Sequence, residues 1–120
     1  MVDVPAVRRF TNSAYVPKAA SLAEIRAAID ALDAQIINLI AERGRYVKDA
    51  TRFKRDAFQV AAPARQAQVF ERARLCAQEH QADLPTLPDV VEATYRTMVA
   101  AFVASEHIYF DQSRTIEEEQ

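Results

Sequence analysis

The chain has 120 residues, half of them hydrophobic, with five prolines, a single glycine, a single cysteine and no tryptophan. That is one domain's worth of sequence, and the lone cysteine excludes an intrachain disulfide and fits a reducing compartment. Fifteen basic residues against seventeen acidic ones leave a net charge of −2, without the basic footprint of a nucleic-acid binder, and no run approaches the roughly 18 apolar residues of a membrane span.

Alanine is abundant and β-branched runs are absent, which predicts an all-α fold. Residues 1–20 hold Pro5 and Pro17 among residues without a period. They read as an arm, extended or disordered, that can lie on a partner. The arm lacks the apolar core of a signal peptide, so the expectation is a soluble, cytoplasmic chain. The domain proper is expected over 21–114, with 115–120 as an acidic, frayed tail.

Ser21 and Glu24 form an S-x-x-E capping box that opens a helix. Apolar residues then recur at Leu22, Ile25, Ile29, Leu32, Ile36 and Leu39, followed by Val47, Ala50 and Phe53. Spacings of three and four predict one very long helix, to about Arg55, with a single buried stripe. Gly44 inside it is a tolerable cost of about 1 kcal/mol. Such a helix would be roughly 50 Å long. So short a chain cannot cover so long a rod, and a second copy is implied.

Arg43 stands where the next apolar residue of the stripe belongs, and Lys54 lies eleven residues further on. On a continuous helix both point the same way, about 16 Å apart, in position to grip a small anion. Each alone reads equally as a cation reaching to water. Arg26 is about 25 Å from Arg43 and about 100° round the helix. If it serves the same ligand, it comes from another chain.

Residues 56–62 read as a connection bearing Phe58 and Val60, either packed or folded over a site. Pro63 suits the first turn of a second helix, with Val69, Phe70, Ala73 and Cys76 inward up to His80. After the proline-rich turn 81–88, Thr86 and Asp89 form a second capping box. The third helix carries a stripe of Val91, Tyr95, Met98, Phe102, Glu106 and Tyr109. Glu106 is the wrong residue for a core. Either the stripe drifts to solvent there, or the carboxyl is desolvated and its pKa is raised.

Other polar residues carry weaker signals. Cys76 and His80 are too few for a metal site. His107 points about 100° away from Glu106. Asp30 and Asp33 suit a solvated face, as do Lys48, Arg52 and Arg55, with Arg52 kept as a minor candidate.

The segment EIRAAIDALDAQIINLIAERGRYVKDATRFK, with its Ile-Arg-x-x-Ile-Asp-x-x-Asp opening, Leu-Ile-x-x-Arg centre and terminal lysine, resembles the AroQ-type chorismate mutase family. The Tyr-Val-Lys-x-Ala-x-Arg-Phe-Lys run at 46–54, together with Pro63, Ala64, Arg65 and Phe102, is similar to the isochorismate-pyruvate lyase branch. The resemblance covers about residues 21–113. It implies three helices per chain in an intertwined homodimer, each site taking one arginine from the other subunit. Arg26 of the partner subunit and Arg43 would hold the two carboxylates of a dianionic substrate. Lys54 would contact a carboxylate and the ether oxygen, Glu106 would hydrogen-bond that oxygen, and Arg65 would stand at the mouth. The acidic residue that often accompanies Arg65 is absent, Ala64 and Gln66 flanking it instead.

The implied reaction is the rearrangement of chorismate to prephenate, which needs neither cofactor nor metal. The alternative is elimination of pyruvate from isochorismate to give salicylate. A silent helical dimerisation or regulatory module and a coiled-coil scaffold are readings of other classes, the scaffold disfavoured by the cations on the seam.

Overall fold

The computed structural model describes residues 5–119. Residues 1–4 of the arm and Gln120 of the tail lie outside the described residues. The described residues are helical apart from the arm and the connections, with three long helices: α1 (Leu22–Ala50), α3 (Pro63–Gln78) and α4 (Leu87–Gln112). Two short ones, α2 (Ala57–Ala61) and α5 (Ile116–Glu119), accompany them. None is long and apolar enough to cross a membrane. The chain divides into two units, Met1–Arg43 and Gly44–Gln120.

In the first unit residues 5–18 are exposed and without regular structure, apart from a turn that seats the Phe10 ring edge-on to Tyr15 at 4.7 Å. The turn is held by the Asn12 side chain, whose Oδ1 accepts the Ala14 N–H at 3.0 Å. The box at the start of α1 forms as expected. Ser21 Oγ accepts the Glu24 N–H at 3.2 Å, and Glu24 Oε2 reaches back to the Ala20 N–H at 3.1 Å. From there, none of the α1 side chains is buried. Leu22, Ile25, Ile29, Leu32 and Ile36 are all exposed, and Leu39 is 69% exposed. The stripe is where the spacing puts it, but its own chain does not cover it.

The first helix ends sooner than its periodicity predicts. The Thr51 hydroxyl donates to the Val47 carbonyl at 3.4 Å, a bond that Thr94, Thr97 and Ser105 also make within the uninterrupted α4. The chain tightens into a 3-10 turn over Thr51–Phe53, and Lys54 follows with extended backbone (φ −102°, ψ 135°). The expected helix to Arg55 is therefore corrected, and Phe53 leaves the stripe to stand 76% exposed.

The expected connection over 56–62 is a helical turn with its own cap. Asp56 Oδ1 accepts the Gln59 N–H at 2.8 Å, and Gln59 Oε1 accepts the Arg55 N–H at 2.6 Å. This D-x-x-Q box delivers Val60 to the core, where it is 2% exposed. Ala62 then takes a left-handed conformation (φ 45°, ψ 61°), and α3 starts at Pro63.

In the second unit α3 packs along α4, which also receives α2 and the 3-10 turn. The contact is built from small side chains: Ala73 and Ala77 of α3 and Val99 of α4 are buried, which lets the two backbones approach closely. Val69 and Phe70 are half-buried beside them, whereas Cys76, expected inward, is exposed. The expected box at Thr86 does not form, since Thr86 is helical and makes no side-chain cap. Asp89 is instead bonded to Arg74 of α3 at 2.8 Å, and Glu92 lies 3.5 Å from the same guanidinium nitrogen. The hydrogen bond to Asp89 raises the pKa of Arg74. The tail expected to fray contains the single turn of α5.

Because Val60 is the one anchor of a five-residue helix, Val60→Ala should destabilise the protein by about 2 kcal/mol. Urea denaturation at fixed protein concentration would measure this.

Candidate active site

The charged residues singled out from the sequence fall on four different segments. Arg26 and Arg43 lie on α1, the first exposed and the second half-buried. Lys54 is half-buried in the extended residue after the 3-10 turn, so it does not continue the α1 face as the helical spacing predicts. Arg65 is exposed in the first turn of α3. Glu106 is in α4 and is only 8% exposed.

Glu106 decides between the two outcomes left open by its spacing. The α4 stripe does not drift to solvent: Val91, Tyr95, Met98, Phe102 and Tyr109 are all half-buried, and Glu106 is the most buried of the series. Removing a carboxyl from water is costly without compensating partners. Glu106 has such an interaction in this structure.

Lys54 and Arg65 line one groove. Its volume is about 430 Å³, and Phe53, Phe58, Ala62 and Pro63 supply apolar walls. Phe58 is 72% exposed. The groove exists because of the two local events that end α1 and start α2. The 3-10 turn swings Lys54 out of the helix, and the Asp56–Gln59 box folds the chain back so that Arg65 returns beside it. The Ala62 joint is held by the Gln66 side-chain amide, which donates to the Ala61 carbonyl at 2.5 Å. Gln66, standing where an acidic neighbour of Arg65 was sought, thus has a structural partner. Sequence reasoning missed this box, although Asp56-x-x-Gln59 ahead of Val60 is its signature.

The minor candidates lie outside the groove that Lys54 and Arg65 line. Arg52 pairs with Asp49 at 3.0 Å on the exposed side, and the Lys48 ammonium lies 5.0 Å from the centre of the Tyr109 ring. Asp30, Asp33 and Arg55 are exposed, and His107 is half-buried. Among the described residues, no three His, Cys, Asp or Glu side chains gather as a metal-binding set.

Chemically, the second unit offers a buried carboxyl, a half-buried ammonium and an exposed guanidinium. It presents groups for anion binding and hydrogen bonding rather than an activated nucleophile. Comparison with known proteins identifies relatives of the chain. An isochorismate pyruvate lyase from Pseudomonas aeruginosa is 37% identical over 94 residues, covering 78% of this chain and 88% of that protein. A chorismate mutase from Methanocaldococcus jannaschii is 38% identical over 63 residues, covering 52% of this chain and 64% of the relative. The profile of the family described as chorismate mutase type II matches residues 25–107, a span that takes in Arg26, Arg43, Lys54, Arg65 and Glu106. On that match, the chain belongs to the chorismate mutase type II family.

Proposed function

We propose that the chain is a chorismate mutase acting as an intertwined homodimer, and that the buried Glu106 carboxyl is the observation that carries this reading within the family. The rearrangement breaks the enolpyruvyl C–O bond as a C–C bond forms within one dianionic molecule, so it requires no nucleophile. Catalysis is positioning plus electrostatics. Arg43 and Arg26 of the partner subunit clamp the two carboxylates and fold the substrate into a reactive conformer. Lys54 and Glu106 hydrogen-bond the ether oxygen as it gains negative charge, and loss of one such donor costs about a hundred- to thousandfold in rate. Arg65, across the groove from Lys54, draws the dianion to the mouth.

The second copy is supported by the uncovered α1 stripe. A helix with six exposed apolar residues at core spacing along its first eighteen positions has the face that a long helix of another copy buries. The soluble, cytoplasmic setting belongs to the same reading.

A second reading, elimination of pyruvate from isochorismate, is favoured by one observation: the match that extends over most of a protein named as a lyase. Both substrates present two carboxylates and the same ether, so the same residues serve either reaction. Incubating the purified protein with each substrate separately should yield prephenate from chorismate. Salicylate and pyruvate from isochorismate, with no prephenate from chorismate, would establish the lyase instead.

Glu106 can donate to the ether oxygen only when protonated. Activity should therefore fall as pH rises through its titration, and Glu106→Gln should flatten the pH–rate profile. An unchanged profile in that variant removes the proposed role.

A site shared between subunits makes a separate prediction. Arg26→Ala and Arg43→Ala should each be inactive alone. Their hybrid dimer holds one pocket with both arginines, so an equal mixture after subunit exchange should recover about one quarter of wild-type activity. Failure to recover any, with exchange confirmed, would place both arginines within one chain's site.

A further inference from the structure

Gly44 is the chain's only glycine, and it lies inside α1, where glycine is a poor helix former. Its backbone does not need the left-handed region, since no glycine here has positive φ. What it provides is space. A Cβ at Gly44 would stand 2.8 Å from Phe102 Cε1, closer than real carbon contacts allow, and a tight 3.0 Å from Cζ. The ring of Phe102 is thus seated in a notch in the α1 backbone.

That notch is connected to both ends of the proposed chemistry. Phe102 is one helical turn before Glu106 on the same face of α4. Six residues after Gly44, α1 passes into the 3-10 turn that sets Lys54, and this turn packs against α4. The depth to which the ring enters the notch therefore fixes how closely α4 approaches the end of α1, and with it the spacing of the two groups aimed at the ether oxygen.

We propose that Gly44 and Phe102 are a size-matched pair of positioning residues, in which the ring seated on the glycine sets the register of Glu106 against Lys54. In this role the pair acts through Glu106. The inference rests on the reaction proposed above. The atoms that meet the added Cβ are the far end of a side chain, not backbone, so Gly44→Ala can fold by displacing the ring.

The test uses four full-length proteins: wild type, Gly44→Ala, Phe102→Leu and the double variant. Each is assayed for kcat and KM on whichever of chorismate and isochorismate the wild type converts, and melted by circular dichroism. Displacement by a fraction of an ångström should lower kcat of Gly44→Ala about tenfold with KM little changed. The melting temperature should not fall in proportion, because alanine is the better helix former. Leucine lacks the ring atoms that meet the Cβ, so Phe102→Leu in the Gly44→Ala background should restore most of the lost kcat. Wild-type kcat in Gly44→Ala, or losses that simply multiply in the double variant, overturn the pair. A wild type that converts neither substrate overturns the reaction assignment and the positioning role with it.

Discussion

The constraint that governs this protein is the apolar stripe of α1. Leucine and isoleucine recur along its first eighteen residues at the spacing of a core, yet the helix buries none of its side chains within its own chain. Apolar area left in water forfeits about 25 cal/mol per Å², and a contiguous stripe of this kind marks an interaction surface. The stability of α1 is therefore a property of what covers it. Arg26 and Arg43 sit on that same helix, so whatever covers the stripe also determines where the two guanidinium groups are presented.

The second unit has the complementary character. It builds its own core, small but closely packed, from Val60, Ala73, Ala77 and Val99. Into that core it places Glu106, a residue that packing alone would not select. Ion pairs between Arg74, Asp89 and Glu92 tie α3 to α4 at the opposite end of the hairpin, and Arg96 bonds Glu92 while lying 4.5 Å from the Phe70 ring. These exposed pairs contribute little individually. What they add is a fixed register between two helices, one of which carries the buried Glu106.

Within the second unit a short stretch leads from the end of α1 to the start of α3. A 3-10 turn, an aspartate cap and a left-handed alanine follow one another within a dozen residues, between the end of one helix and the start of the next long one. Each device is local and modest in energy. Together they bring Lys54 and Arg65 to one groove and leave Phe53 and Phe58 as its exposed walls. A lysine on extended backbone, rather than on a helix, is held by the turn behind it and by the groove around it.

The sequence by itself determined the all-α class, the start of α1 at its capping box, the apolar faces of α1 and α4, the start of α3 at Pro63 and the family. These follow from periodicity and from residue types at fixed spacing, which are local properties of the chain. Only the tertiary structure decided where α1 stops, since the hydrophobic period continues to Phe53 while the backbone passes into a 3-10 turn at Thr51. It alone decided that Asp89 joins Arg74 instead of capping α4, since that choice depends on a residue fifteen positions away. It decided that Glu106 is buried, which a stripe read from spacing leaves open. And it showed that the one glycine makes room for Phe102, a contact between residues far apart in the chain that no local pattern encodes.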